Sequence, residues 1–147
     1  MHRTIDSLIA NQEVYSVGPG TSVVDAAKYM SERNIGAVSV IDGKSLIGII
    51  SERDLMRRVV AEGRDPTSTR VDDVMSRRLV HGVPGDSYTD CIEKMLANRC
   101  RHLPILNGDL VVGMVSIRDL YRVEASEKAE ELEYMNAYVN SAPSLGS

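Results

Sequence analysis

The chain is 147 residues long, 43% hydrophobic and 26% charged, with a formal charge of -4; this size suits one ordinary domain or two half-size units sharing a core. Lys and Arg are scattered among Asp and Glu, which leaves no basic stripe for a nucleic-acid duplex. No segment nears the roughly 18 consecutive apolar residues of a membrane span, and residues 1–12 lack the apolar run of a secretory signal, so a cytoplasmic protein with no membrane partner is expected.

In chain order, residues 5–9 form a short amphipathic turn and 14–17 a short apolar stretch ahead of Pro19-Gly20. Ser22 leads a helix to Arg33 in which Val23, Ala26, Ala27 and Met30 recur on one face. Residues 37–41 and 46–50 are apolar strands joined at Asp42-Gly43, a strong hairpin signal. A helix over 55–61 follows, then a polar linker with Gly63 and Pro66, and a second amphipathic turn over 71–75. Residues 79–83 open the second half, and Tyr88, Cys91, Ile92, Met95 and Leu96 mark its first helix. Strands over 103–106 and 110–115 meet at Asn107-Gly108, and a helix runs from Leu120 onward. Beyond Glu124 a charged helix carries Leu132, Met135 and Val139 at i, i+3 and i+7, as a lid over the core or as a dimer contact, before a Ser, Pro and Gly tail expected to be disordered.

The second half repeats the first at an offset of 65 residues. Gly48-Ile49-Ile50-Ser51-Glu52-Arg53-Asp54-Leu55 returns as Gly113-Met114-Val115-Ser116-Ile117-Arg118-Asp119-Leu120. Pro19-Gly20, Ser22, Asp25, Met30 and Gly43 return as Pro84-Gly85, Ser87, Asp90, Met95 and Gly108. Self-similarity at a fixed offset marks units too small to bury an apolar face alone, so two β-α-β-β-α units packed against each other are expected, in the α/β (α+β) class. Cys91 and Cys100 align with Ala26 and Ile35, as small apolar fillers. There is no C-x-x-C, and His81 and His102 lack metal-ligand spacing, so no metal or catalytic cofactor is expected.

The shared motif is Gly-h-h-Ser-x-Arg-Asp, with h apolar. It sets a hydroxyl and a carboxylate at a strand-to-helix junction, where unpaired N–H groups and the helix dipole favour an anion. An acidic side chain there can accept both hydroxyls of a ribose, and the arginine supplies a planar phosphate donor. Ser-x-x-Asp is also the capping box, and it recurs as Ser22-Asp25, Thr69-Asp72 and Ser87-Asp90. Both readings therefore stand, though only Ser51-Asp54 and Ser116-Asp119 add the preceding glycine and the arginine.

With these motifs in order, the chain resembles a tandem pair of cystathionine β-synthase (CBS) domains, a Bateman module. The likeness rests on the proline before each Ser-led helix, Ile35-Gly36-Ala37-Val38 and Arg101-His102-Leu103-Pro104-Ile105 on the hairpins, the two shared motifs, and Val71-Asp72-Asp73-Val74-Met75 at the start of the second repeat. It implies CBS domains over 8–62 and 71–126, a linker over 63–70 and a C-terminal helix and tail over 127–147. It also implies packing about a pseudo-twofold axis, with adenosyl ligands (AMP, ADP, ATP, NAD or S-adenosylmethionine) in the crevices between repeats. Carried over by position, Asp54 and Asp119 would bind ribose hydroxyls, and Ser51 and Ser116 ribose or phosphate. Arg53, Arg118, Arg101 and His102 would face phosphate. Adenine would rest near Val17, Ala37, Val38, Val83 and Leu103. Gly36-Ala37-Val38-Ser39 stands where the second copy has Arg101-His102-Leu103-Pro104, so one crevice should be the more cationic. With no Phe and no Trp, stacking on adenine falls to a tyrosine.

The expected function is ligand sensing without catalysis, by a homodimer that signals occupancy to a separate regulated protein. The alternatives are a dimerising scaffold with empty crevices and, from a third class, a nucleotide hydrolase, for which no nucleophile constellation is seen.

Overall fold

Ser22 and Ser87 each accept a hydrogen bond from the backbone N–H three residues on, at 3.2 Å from Asp25 and 3.0 Å from Asp90, and so begin the two matching helices. The computed structural model describes residues 4–141. Its elements are α1 (Asp6–Ile9), β1 (Ser16–Val17), α2 (Val23–Arg33), β2 (Ala37–Asp42), β3 (Ser45–Ser51), α3 (Glu52–Asp54), which runs on as a π-helical segment (Leu55–Val60), α4 (Val71–Val74), α5 (Tyr88–Asn98), β4 (His102–Asn107), β5 (Leu110–Ser116) and α6 (Ile117–Ser141).

The two hairpins are near copies. Gly43 and Gly108 take φ of 63° and 62° at their turns, where a side chain would be strained. The strands shift register at the same place, between Val40 and Ile41 and between Ile105 and Leu106. The opening strands differ. β1 pairs in parallel with β2, Ser16 with Ser39 and Val17 with Val40. The expected strand over 79–83 is reduced to one parallel bridge, Gly82 with Ile105. Pro104, which stands where the first copy has Ser39, has no N–H with which to continue that ladder.

The helices after the hairpins also depart from expectation. The first is α-helical only over Glu52–Asp54 before the π-helical segment begins. The second starts at Ile117, not Leu120, and continues unbroken to Ser141. The expected boundary at 126 thus falls inside one helix, and the tail over 142–147 lies outside the described residues. Leu132, Met135 and Val139 are 60%, 61% and 68% exposed, so the part of α6 beyond Glu124 is no lid over its own core. Thr69-Asp72 does not form a capping box. Thr69 Oγ1 donates to Asp65 O at 2.7 Å, and the carboxylate that reaches back is that of Asp73, accepting from Arg70 N at 3.3 Å. Cys91 and Cys100 are free thiols, the first buried and the second half-buried; burial pushes the Cys91 thiol up to about 11.

There are two apolar cores, and each borrows from the other repeat. Val71, Val74 and Met75 complete the first, beside Val23, Met30, Val40 and Ile50. Ile5, with Leu8 and Ile9 against it, completes the second, beside Met95, Leu103, Ile105 and Leu120. The exchanged segments dock on β3 and β5 in parallel ways. Ile49 and Ser76 exchange backbone hydrogen bonds of 3.0 and 2.8 Å. On β5 a side chain does the same work: Gln12 Nε2 donates to Met114 O at 2.9 Å, and Met114 N donates to Gln12 Oε1 at 2.8 Å.

Close approach at both docks requires glycine. A Cβ on Gly113 would stand 2.6 Å from Ile9 Cγ2 and 2.9 Å from Gln12 Oε1. Gly113→Ala is therefore expected to cost about 1–3 kcal/mol by overpacking, read as a lower urea midpoint; an unchanged midpoint would mean that α1 yields freely.

Candidate ligand crevice

The two Ser-x-Arg-Asp junctions are built alike at the backbone. Glu52 N donates to Gly36 O at 3.0 Å and Ile117 N to Arg101 O at 2.9 Å, tying each helix start to its own hairpin. Asp54 N and Asp119 N donate to Ser51 Oγ and Ser116 Oγ at 3.2 and 3.0 Å.

The carboxylates then diverge. Asp54 Oδ2 accepts from Ser51 N at 2.9 Å and from Ser51 Oγ at 3.0 Å, closing the box, and Asp54 Oδ1 lies 3.8 Å from Arg58 Nε. The Asp119 carboxylate takes no hydrogen bond or ion pair among the described residues.

Asp119 opens onto a crevice of about 830 Å³ between the repeats, within the range of small-molecule sites. Ser116, Arg118, Asp119 and Arg122 line it from β5 and α6, and Gly36, Ala37 and Ser39 from the start of β2. Glu13 and Tyr15 line it ahead of β1, and Glu52, Arg101 and His102 are among its other walls. Of the residues expected at a site, the fold thus brings together Ala37, Arg101, His102, Ser116, Arg118 and Asp119.

Val17, Val38, Ser51, Arg53, Asp54, Val83, Leu103 and Pro104 do not line this crevice. Side chains alternate across a strand; Val38 and Leu103, next to Ala37 and His102, turn into the two cores. Pro104 is buried, Val17 is half-buried against the first core, and Arg53 and Val83 are exposed.

Sequence reasoning missed Glu13, Tyr15, Gly36, Glu52 and Arg122. Tyr15 is the tyrosine among the lining residues. Its ring meets Tyr29 edge-on, with centroids 6.1 Å apart at 83°, and the Arg33 guanidinium lies 3.6 Å from the Tyr29 centroid and 5.6 Å from that of Tyr15. A hydrogen bond to Glu13 holds the Tyr15 phenol above its ordinary pKa. Gly36 makes space where the repeats face each other: a Cβ there would stand 3.0 Å from Glu52 Oε1 and 3.4 Å from His102 Nε2. The missing side chain leaves room for both.

Charge is concentrated around that point. Burial lowers the His102 pKa, with Arg101 adding to the effect, while Glu52, Asp119 and Asp54 pull it up. The charge of Arg101 also lowers the Arg53 pKa, followed by burial and by Arg57. The guanidinium groups of Arg53 and Arg101, one from each repeat, therefore feel each other's charge. Among the described residues no three His, Cys, Asp or Glu side chains gather as a metal site, and no helix is long and apolar enough to cross a membrane.

The family model for the CBS domain matches residues 5–61 and 71–126. The chain is 37% identical over 123 residues to the CBS domain-containing protein CBSX3, mitochondrial, of Arabidopsis thaliana, a match covering 80% of this chain and 60% of that one. It is 34% identical to a protein with CBS domains from Burkholderia ambifaria MC40-6 whose solved structure superposes with a TM-score of 0.79, over 84% of this chain and 95% of that one. The CBS domain pair of protein MJ0100, solved in complex with 5′-methylthioadenosine and S-adenosyl-L-methionine, shares the fold at a TM-score of 0.78 and 19% identity, over 86% of this chain and 99% of that one. Matched twice by one family model and in fold along its length, this mixed α and β chain is a tandem pair of CBS domains and belongs to the CBS domain family.

Proposed function

We propose that this CBS pair binds an adenine nucleotide in the crevice between its repeats and signals occupancy to a separate partner protein. The observation that carries the reading is the Asp119 carboxylate, unengaged above Ser116 at the wall of an 830 Å³ crevice. A carboxylate so placed accepts both hydroxyls of a ribose. Arg101, Arg118 and Arg122 supply donors for phosphate, which favours AMP, ADP, ATP or NAD over S-adenosylmethionine. Tyr15 offers an aromatic face to adenine, with Ala37 as an apolar neighbour.

The adenosyl compounds named for the MJ0100 complex support the ligand class in a protein of the same fold. Binding without turnover, in the cytoplasm, belongs to the same reading. Signalling requires that the ligand favour one arrangement of the repeats over another.

Dimerisation is a second element of the proposal, and the exposed stripe of Leu132, Met135 and Val139 on α6 favours it. Leu132→Glu sets a charge on that stripe, and the expected result is loss of the dimer mass in light scattering; an unaltered dimer mass would assign the contact elsewhere.

A ligand that binds only the folded state raises its melting temperature as concentration rises. AMP or NAD is expected to do so here, and Asp119→Asn to weaken binding about tenfold or more while leaving the unliganded melting temperature near that of the wild type. A chain unmoved by AMP, ATP and NAD would be the scaffold instead.

His102 adds a pH dependence. Its folded pKa lies below 6.5, so as pH falls through 6.5 the unfolded chain takes up a proton that the folded one does not, and stability declines toward the folded pKa. Above that window both forms are neutral and nothing is lost. Denaturation midpoints at pH 7.5 and 5.5 should therefore differ less in His102→Gln than in the wild type; equal differences would show His102 to be freely solvated.

A further inference from the structure

The repeat offset of 65 residues pairs each position of one copy with a position of the other. Ala37 and Ser39, on the wall contributed by the first repeat, stand where the second repeat has His102 and Pro104. One change adds a ring, and the second removes a backbone N–H. The acidic residues differ more sharply. Asp54 is 15% exposed, its Oδ2 is taken by Ser51 N and Oγ at 2.9 and 3.0 Å, and its Oδ1 faces Arg58 Nε at 3.8 Å.

Arg58 is itself committed. Its Nη1 donates to Val74 O at 3.1 Å and to Met75 O at 3.0 Å, the end of the segment lent to the first core by the second repeat. Val123 stands at the matching position in the second repeat, so Asp119 has no such partner.

We infer that the chain takes one adenosyl ligand, in the Asp119 crevice alone, and that Asp54 is instead a positioning residue that aims Arg58 at the carbonyls of α4. The same acidic position of the shared motif does opposite work in the two copies: one carboxylate is left open to a guest, and the other holds the repeats together. A ribose at Asp54 would have to displace two hydrogen bonds of the capping box and compete with a guanidinium. None of these obstacles stands at Asp119. This inference rests on the proposal that the open crevice binds an adenosyl compound.

The test is titration calorimetry of the full chain with AMP, ATP, NAD and S-adenosylmethionine, together with native mass spectrometry. One ligand per chain is expected. Asp119→Asn should weaken binding about tenfold or more, while Asp54→Asn and Arg58→Met should keep wild-type affinity and stoichiometry and lower the melting temperature. The two losses should be less than additive in the double variant, as for residues acting on one contact. Two ligands per chain, or an Asp54→Asn that loses affinity as Asp119→Asn does, would overturn the inference and leave the adenosyl proposal standing. Failure of all four compounds to bind the wild type would remove both. Additive losses in the double variant would refute the positioning role by itself.

Discussion

Ile5 is fully buried in the core of the second repeat, and Val71, Val74 and Met75 lie at most 3% exposed in the core of the first. Everything else in the molecule depends on this exchange. Neither repeat completes its apolar core from its own residues, so the two halves can satisfy burial only by lying beside one another. The dock on each side is short-range and directional: Gly48 against Met75 and Ser76, Gly113 against Ile9 and Gln12. A crevice forms where two such bodies meet without merging, and its walls are then as fixed as the packing that positions them.

Symmetry in the backbone does not carry through to the side chains. Both hairpins turn on a left-handed glycine, both shift register at the same step, and both helix starts reach back to the hairpin by an N–H. On that common frame the first repeat contributes small residues, Gly36 and Ala37, and the second contributes Arg101 and His102. Arg101 and the His102 imidazole gather where the small residues make space for them, with the Glu52 and Asp119 carboxylates near the imidazole.

Much of the fold was legible because local chemistry and the repeat agreed. Asp42-Gly43 and Asn107-Gly108 fix the hairpins, and Ser22 and Ser87 fix the helix starts. The misreadings came from residues whose effect is felt across the chain. Pro104 is an unremarkable member of an apolar strand until its neighbour needs an N–H, and the strand over 79–83 is then reduced to one bridge. Glu13, Tyr15 and Glu52 belong to no motif, and only folding brings them to one crevice. The shared Ser-x-Arg-Asp motif marked Asp54 and Asp119 as equals. What separates them lies one helical turn further on, Arg58 against Val123, outside the motif altogether.

The unbroken course of α6 has a mechanical side. Asp119, in its first turn, and Val139, near its end, belong to a single hydrogen-bonded rod, about 30 Å apart at 1.5 Å per residue. A pivot of only about 5° where the helix borders the crevice sweeps its far end through nearly 3 Å, by lever geometry on that length. Rearrangements too slight to register in the packed body thus become, at the distal tip, displacements on the scale of an atomic diameter.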